Sequence, residues 1–183
     1  MGAMISERKS ARREQILGAA LGCFMQYGYA KTACDDVAKA AGVSRSLLYA
    51  YFADKKDLFI SLVNDMLDRQ LAKTRDIFAA KASREEKFLG FLELWGVELY
   101  SHVADSPHGN ELFDEGNRAW EETGRRHREA LVRLLAGLVG GSDRAELIML
   151  SLKGLQADRP SVPVLRKRMR LLAELGWHKR GQA

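Results

Sequence analysis

Proline is almost missing from this sequence, with three in 183 residues. Long helices can therefore run without the lost N–H and ring clash that an interior proline imposes. Cysteine is as scarce. Cys23 and Cys34 form no CxxC pair and have no histidine at metal-ligand spacing, which excludes a disulfide scaffold and the common zinc frameworks. The two thiols are expected to be buried and free in a reducing compartment. No run of about 18 apolar residues occurs, so no membrane-spanning helix is expected. The polar, basic start lacks the apolar centre of a secretory signal, and Met1-Gly2-Ala3 ahead of Met4 are expected to be a vector remnant. These absences together point to the cytoplasm. The sequence also lacks GxSxG, HExxH, P-loop and GxGxxG motifs. His102, His108, His127 and His178 show no grouping with cysteines or carboxylates that resembles a metal or catalytic constellation. An enzyme is not expected, nor is any cofactor or metal.

What is present favours helix. Hydrophobic residues make up 46% of the chain, ample for a packed core, and Leu, Ala, Arg, Lys and Glu dominate. Residues 7–27 carry Ile16, Ala20 and Phe24 on one stripe with Leu17 and Leu21 beside it, and Gly28 follows as a stop. A short helix follows Thr32, whose spacing to Asp35 fits a capping box, and it ends at Gly42. A third runs from about Arg45 to Tyr51, and a fourth, capped by Asp54, from Lys55 to about Ala79. Ser83 and Glu86 form another capping box before a helix of about twenty residues. Ser106-Pro107 is expected to open a helix that continues to about Leu138, and Gly140-Gly141 to break it. Asp143 and Glu146 cap the next helix, and the last begins after the loop Asp158–Pro163 and reaches Trp177. No strand pattern, repeat or low-complexity tract is visible, so the fold class is all-α.

Charge is distributed unevenly. Residues 1–60 hold nine Lys/Arg against six Asp/Glu, a net of +3, while the remaining two thirds carry a net of +2. A basic N-terminal third suits a polyanionic partner; a solvated basic surface is the plainer alternative.

The most specific signal begins at Cys34. Counting it as position one, Val37, Ala38, Ala41, Gly42, Val43 and Leu48 fall at places four, five, eight, nine, ten and fifteen. Ala38 must be small for two helices to cross closely, and Gly42 supplies the left-handed backbone of a short turn. Val43 and Leu48 fill the angle between the helices. The spacing fits a DNA-binding helix-turn-helix, with an ordinary αα-corner as the alternative.

Across residues 11–60 the chain resembles the TetR family of transcriptional regulators. The resemblance is carried by Gly28-Tyr29, Thr32, Asp36-Val37-Ala38, Ala41-Gly42-Val43-Ser44, Leu48-Tyr49, Phe52 and Lys55. It implies a three-helix DNA-binding domain at residues 5–53. A larger helical domain for effector binding and dimerisation would follow at 54–183, about nine helices in all. Two positions depart from the family pattern. Ala33 and Cys34 stand where Ser or Thr is usual, which would move the helix cap to Thr32, and Ser46 stands where Gly is frequent.

Within this reading Arg45 and Ser46 could donate to base edges, and an outward Leu47 could meet a thymine methyl, or be a single exposed leucine. Thr32, Tyr49 and Lys55 are the candidate phosphate contacts, with Lys56, Arg8, Lys9, Arg12 and Arg13 behind them. The family likeness implies a homodimer through the last two helices. The stripes Ala145-Ile148-Met149-Leu152-Leu155 and Leu165-Met169-Leu172-Leu175 are compatible with that, or with internal core. An effector pocket would draw on Phe88, Phe91, Trp95, Tyr100, His102, Phe113, Trp120 and His127, although large aromatics also serve as ordinary core. The expected partners are double-stranded operator DNA, a second copy of the chain and a small-molecule effector, with no membrane. The expected function is sequence-specific transcriptional regulation, as a repressor released by its effector. The alternatives are a helical adaptor using the helix-turn-helix for protein contact, or an enzyme without a known motif.

Overall fold

A computed structural model describes residues 2–104 and 106–176 of the chain. Among them the regular structure is helical: α1 (Gly2–Tyr27), α2 (Cys34–Ala40), α3 (Arg45–Tyr51), α4 (Lys55–Ala79), α5 (Arg84–Leu92), a π-helical stretch (Glu93–Glu98), α6 (Leu99–Ala104), α7 (Gly109–Thr123), α8 (Arg125–Val139), α9 (Ser142–Gln156) and α10 (Val162–Gly176). With α5, the π stretch and α6 taken as one continuous rod, the described residues form nine helices, and the all-α expectation stands. Trp177 and His178 lie outside the described residues.

The helices gather into two compact units. Met1–Met66 with Asp105–Gly124 form one, and Leu67–Ala104 with Arg125–Ala183 form the other.

The first unit closes around α1. Ile16, Leu17, Ala20 and Phe24 are buried with Val37 and Ala38 of α2, Leu48 of α3, Phe52, and Leu58, Phe59 and Leu62 of α4. Phe24, Tyr29 and Phe59 form a ring cluster with centroids 5.0 to 5.7 Å apart. Each fully buried Leu or Phe contributes about 1.5–3 kcal/mol of transfer free energy. Segment 106–124 joins this unit by polar contacts. Ser106 Oγ donates to Met25 O at 2.8 Å. Glu111 Oε1 accepts from Ala30 N at 2.6 Å, and Lys56 pairs with Glu122 at 2.8 Å.

In the second unit α8 packs on α9, and α10 on α5 and the π stretch. Its centre includes Phe88, Phe91, Leu92, Leu131, Leu135 and Leu165. In the π stretch the consecutive residues Leu94, Trp95, Gly96 and Val97 are all buried. Gly96 lies close against α10: a Cβ there would meet Met169 Sδ and Cε at 2.7 Å. Gln156 Nε2 donates to Gly96 O at 2.8 Å, and Trp95 Nε1 to Thr74 Oγ1 at 2.8 Å.

Four expected boundaries are corrected: α9 opens at Ser142 with Gly141, not Asp143, as its N-cap and no side-chain cap, α10 opens at Val162, within the stretch expected to be loop, and two more lie around Ser106 and Gly124. The helix expected to open at Ser106-Pro107 opens at Gly109, because Ser106 closes a turn by accepting from Gly109 N at 2.9 Å and from His108 N at 3.2 Å. The long helix expected to reach Leu138 is divided at Gly124. There the N–H returns to Trp120 O at 2.8 Å, and a Cβ would collide with that same carbonyl.

Candidate nucleic-acid interface and effector site

The helix-turn-helix follows from its residue types. At the end of α2, Gly42 takes φ 63°. Its N–H reaches Lys39 O at 3.1 Å, and Val43 N–H reaches Ala38 O at 3.0 Å. This double closure is a Schellman ending, which needs a left-handed residue that glycine adopts without strain. Ser44 then caps α3, its Oγ accepting from Leu47 N at 3.2 Å. Leu48 and Phe52 point inward and are fully buried, so the rest of α3 faces out. Gln15 of α1 fastens the turn, donating from Nε2 to Ala41 O at 2.7 Å.

On the outward face Arg45, Ser46, Tyr49 and Ala50 are exposed and Leu47 is half-buried. Arg45 Nη1 donates to Asp35 Oδ2 at 2.9 Å, and its guanidinium lies over the Tyr49 ring, 5.6 Å from the centroid. Ser46 Oγ lies 3.1 Å from Ser44 Oγ. Tyr49 is 41% exposed. Arg13 of α1 lies over the Phe52 ring at 5.7 Å, which brings the basic turn Arg8–Arg13 to the helix-turn-helix.

Of the three leading phosphate candidates, Thr32 and Lys55 are hydrogen-bonded within the fold, and Lys56 behind them pairs with Glu122. Thr32 is 2% exposed, and its hydroxyl donates within the fold, to Gly28 O at 2.6 Å and towards Cys23 O at 3.3 Å. It does not cap α2. The N-cap is Ala33, which has no side-chain acceptor, and Asp36 Oδ2 closes half a capping box by accepting from Ala33 N at 2.9 Å. Lys55 donates from Nζ to Tyr29 O at 2.9 Å and Ala30 O at 3.1 Å, and sits 4.7 Å from the Tyr29 ring centroid. Two of its three ammonium donors are thus engaged. The lysine that opens α4 against the helix dipole is held by carbonyls of the α1–α2 loop. Asp54 caps the same helix, its Oδ1 accepting from Asp57 N at 2.8 Å.

The residues suggested for a pocket divide between the units. Phe88, Phe91, Trp95, Tyr100, His102 and His127 belong to the second, and Phe113 and Trp120, both half-buried, to the first. Phe88, Phe91, Trp95 and Tyr100 are core, and the Tyr100 hydroxyl donates to Pro160 O at 2.7 Å. His102 is exposed, with Nδ1 2.6 Å from Glu98 O. His127 is 2% exposed. Its Nε2 lies 3.1 Å from Asp68 Oδ1, which also takes Arg126 Nη2 at 3.0 Å. His127 Nδ1 meets no partner, and neither does Gln70 Oε1 of the same unit. A buried orphan of this kind costs about 1–3 kcal/mol and calls for an explanation. Among the described residues no group of three His, Cys, Asp or Glu could hold a metal. Both cysteines are buried and free, and burial, with Asp36 nearby, pushes the Cys23 thiol up.

On α9 and α10 the expected stripes turn inward: Ala145, Leu152, Leu165 and Met169 are buried, while Leu175 is exposed. A second apolar set, Leu147 and Leu150 of α9 with Val164, Leu171 and Leu175 of α10, faces solvent. Periodicity alone could not separate the two sets. Sequence reasoning passed over Gln70, and gave Asp35 a capping role with Thr32 where the structure pairs it with Arg45. Asp35 precedes Arg45 by ten positions, a pairing visible only once the turn is built. Gln70 is a polar residue on an otherwise unremarkable helix.

Among the described residues no helix is long and apolar enough to cross a membrane. Residues 16–62 match the family of bacterial regulatory proteins, tetR family. The chain is 38% identical over 113 residues to the HTH-type transcriptional regulator RutR of Escherichia coli, an alignment covering 59% of this chain and 49% of that protein. It is 40% identical over 76 residues to the HTH-type transcriptional repressor Rv1474c of Mycobacterium tuberculosis, covering 42% and 36%. The chain thus spans about half the length of these curated relatives, or less. A TetR transcription regulator from Haloarcula marismortui shares the fold with a TM-score of 0.75 at 15% identity, covering 91% of this chain and 97% of that one.

Proposed function

We propose that this chain, whose residues 16–62 match the tetR family of bacterial regulatory proteins, is a sequence-specific DNA-binding transcriptional regulator and not an enzyme. It acts as a repressor, as the similar mycobacterial protein is named, and a small-molecule effector releases it from its operator in the cytoplasm. The observation that carries this reading is the outward face of α3. Leu48 and Phe52 anchor the helix, and Arg45, Ser46, Tyr49 and Ala50 project from α3 just after the turn whose left-handed backbone Gly42 supplies.

Residues 5–53, with Lys55 at the start of α4, supply the DNA contacts. Arg45, Ser46 and Leu47 meet base edges in a major groove. Tyr49 donates its hydroxyl to a phosphate. Lys55 offers the ammonium proton that the loop carbonyls leave over, and Arg8, Lys9, Arg12 and Arg13 of α1 add further phosphate contacts. Thr32 is left out of this set because its hydroxyl is used inside the fold. Residues 54–183 bind effector and dimerise. The orphaned His127 Nδ1 and Gln70 Oε1 support an effector that supplies hydrogen bonds among the aromatic side chains of the second unit. The exposed leucines of α9 and α10 support association with a second copy of the chain.

A gel-shift on the DNA upstream of the gene, and on a selected oligonucleotide pool, tests the reading over a salt series. A specific complex should appear, with log K falling by about 0.9 per neutralised phosphate for each unit of log salt. Tyr49→Phe and Lys55→Ala should weaken binding on every sequence, whereas Arg45→Ala should change the preferred sequence. Absence of any specific complex, with a salt slope near zero, would remove the proposal.

A further inference from the structure

One ion pair in the helix-turn-helix has no part in building it. Asp35, in the first turn of α2, accepts from Arg45 Nη1 at 2.9 Å, and both side chains are more than half exposed. An exposed pair of this kind contributes little to stability. The fold does not depend on it: α3 is capped by Ser44, and the half-box of α2 is closed by Asp36. In a surface that meets a polyanion, a carboxylate also opposes binding. As a first-turn acid Asp35 also suits the dipole of α2, but that needs no arginine partner, and the pairing itself points to selectivity.

The geometry supplies that role. Arg45 is held from two sides, by the Asp35 carboxylate on α2 and by the Tyr49 ring one turn along α3. An unrestrained arginine beside DNA finds phosphate oxygens on any sequence. A guanidinium fixed at its head, with an anion beside it that keeps phosphates away, is instead set to present its fork to one base edge. We infer that Asp35 is a specificity-determining positioning residue: it withholds Arg45 from the DNA backbone and orients it towards a base, trading affinity for discrimination. This rests on the DNA-binding reading above.

The experiment uses the full chain. The preferred duplex is selected from a pool. Binding is then measured on that duplex, on variants changed at each base pair, and on random duplex, for wild type, Asp35→Asn, Asp35→Glu, Arg45→Ala and the Asp35→Asn/Arg45→Ala pair. Thermal melting shows that each variant is folded. Asp35→Asn should bind random duplex several-fold more tightly. It should lose about fivefold to tenfold of discrimination at the base pair that Arg45→Ala also relaxes, and at no other. Asp35→Glu should restore part of that discrimination. In the Arg45→Ala background the Asn substitution should cost no further discrimination. Unchanged discrimination in Asp35→Asn, or equal weakening on every sequence, would overturn the inference while leaving the regulator reading intact. A wild-type protein that selects no sequence would overturn both.

Discussion

Two surfaces of this molecule are left open to water, and they are made of opposite materials. On α3 the outward side chains are Arg45, Ser46, Tyr49 and Ala50, around a fully buried Leu48. On α9 and α10 they include an apolar set, Leu147, Leu150, Val164, Leu171 and Leu175, beside charged residues such as Glu146 and Arg170, with Leu152 and Met169 buried beneath. The first surface can select a partner by charge and hydrogen-bond geometry, and little is gained by covering it with apolar matter. The second can gain only from burial, and leaving it open costs hydrophobic free energy. The contrast teaches how tightly a surface constrains the sequence beneath it. The helix-turn-helix must hold a few donors in fixed directions, so the turn and its plugs are restricted to particular residues. The α9–α10 face needs only leucine at helical spacing.

The largest effect should come from removing the plug under the first surface. Leu48 of α3 is fully buried, so Leu48→Ala should destabilise the first unit by about 2–5 kcal/mol through lost transfer energy and a residual cavity. Denaturant unfolding measures this, and affinity for DNA should fall on all sequences together. A loss under about 0.5 kcal/mol would mean that α3 does not depend on this plug, and the contrast between a rigid and a permissive surface would fail.

A smaller and different effect is expected at the second surface. Leu147 is 64% and Leu171 47% exposed, so replacing both by Asp should leave helicity and the unfolding of the isolated chain nearly unchanged. Self-association should weaken by tenfold or more, a difference of about 1.4 kcal/mol or above. Sedimentation velocity at micromolar concentration reads this directly. A double variant that remains a dimer would place the association elsewhere.

These two tests also mark where the sequence was readable. The helix-turn-helix was legible nearly residue by residue, because its geometry admits few alternatives: Gly42 does take the left-handed backbone, Ala38 is packed and Leu48 is the plug. The bounds of α3 and α4 came out as expected for the same reason, since Ser44 and Asp54 cap them with their side chains. Elsewhere the pattern said less. The π stretch Glu93–Glu98 left no signature in the local pattern, and the close approach of its Gly96 to Met169 is a tertiary contact that helical periodicity does not show. The division at Gly124 was hidden inside a run that is helical by propensity throughout. The expected stripes of α9 and α10 proved to be mainly the inner ones, because amphipathic spacing shows that a face is apolar without showing what covers it. For the candidate contacts, the sequence named Thr32 and Lys55 by pattern but could not show their present partners, main-chain carbonyls contributed by the Gly28–Ala30 loop and, for Thr32, also by Cys23.

The two regions differ once more in how their helices start, and here the smallest effect is expected. At α5 the box is complete: Ser83 Oγ accepts from Glu86 N at 3.2 Å, and Glu86 Oε2 accepts from Ser83 N at 2.7 Å and from the Ser83 hydroxyl at 2.8 Å. At α2 the N-cap is Ala33 and only the Asp36 half exists. The Ser83 backbone N–H, and after it the Ser83 hydroxyl, hold the Glu86 carboxyl below its ordinary range. A carboxyl lowered in the folded state stabilises above its unfolded pKa, and that contribution disappears as pH falls through the folded one. Ser83→Ala should therefore destabilise the second unit by about 0.5–2 kcal/mol at neutral pH, the usual effect of losing a cap. The gap from wild type should narrow as the solution is acidified below the carboxylate range, and Glu86 should titrate nearer its ordinary value by NMR. Ala33→Ser is the reciprocal change. The backbone at Ala33 already has extended N-cap angles, φ −100° and ψ 156°, so a hydroxyl placed there can share the Asp36 N–H, which now donates to Ala33 O at 3.1 Å. The gain should be about 1 kcal/mol, confined to unfolding of the first unit. If Ala33→Ser gives no gain while Ser83→Ala gives its loss, the two helix starts are not equivalent, and the opening of α2 is held by its tertiary contacts instead of by its cap.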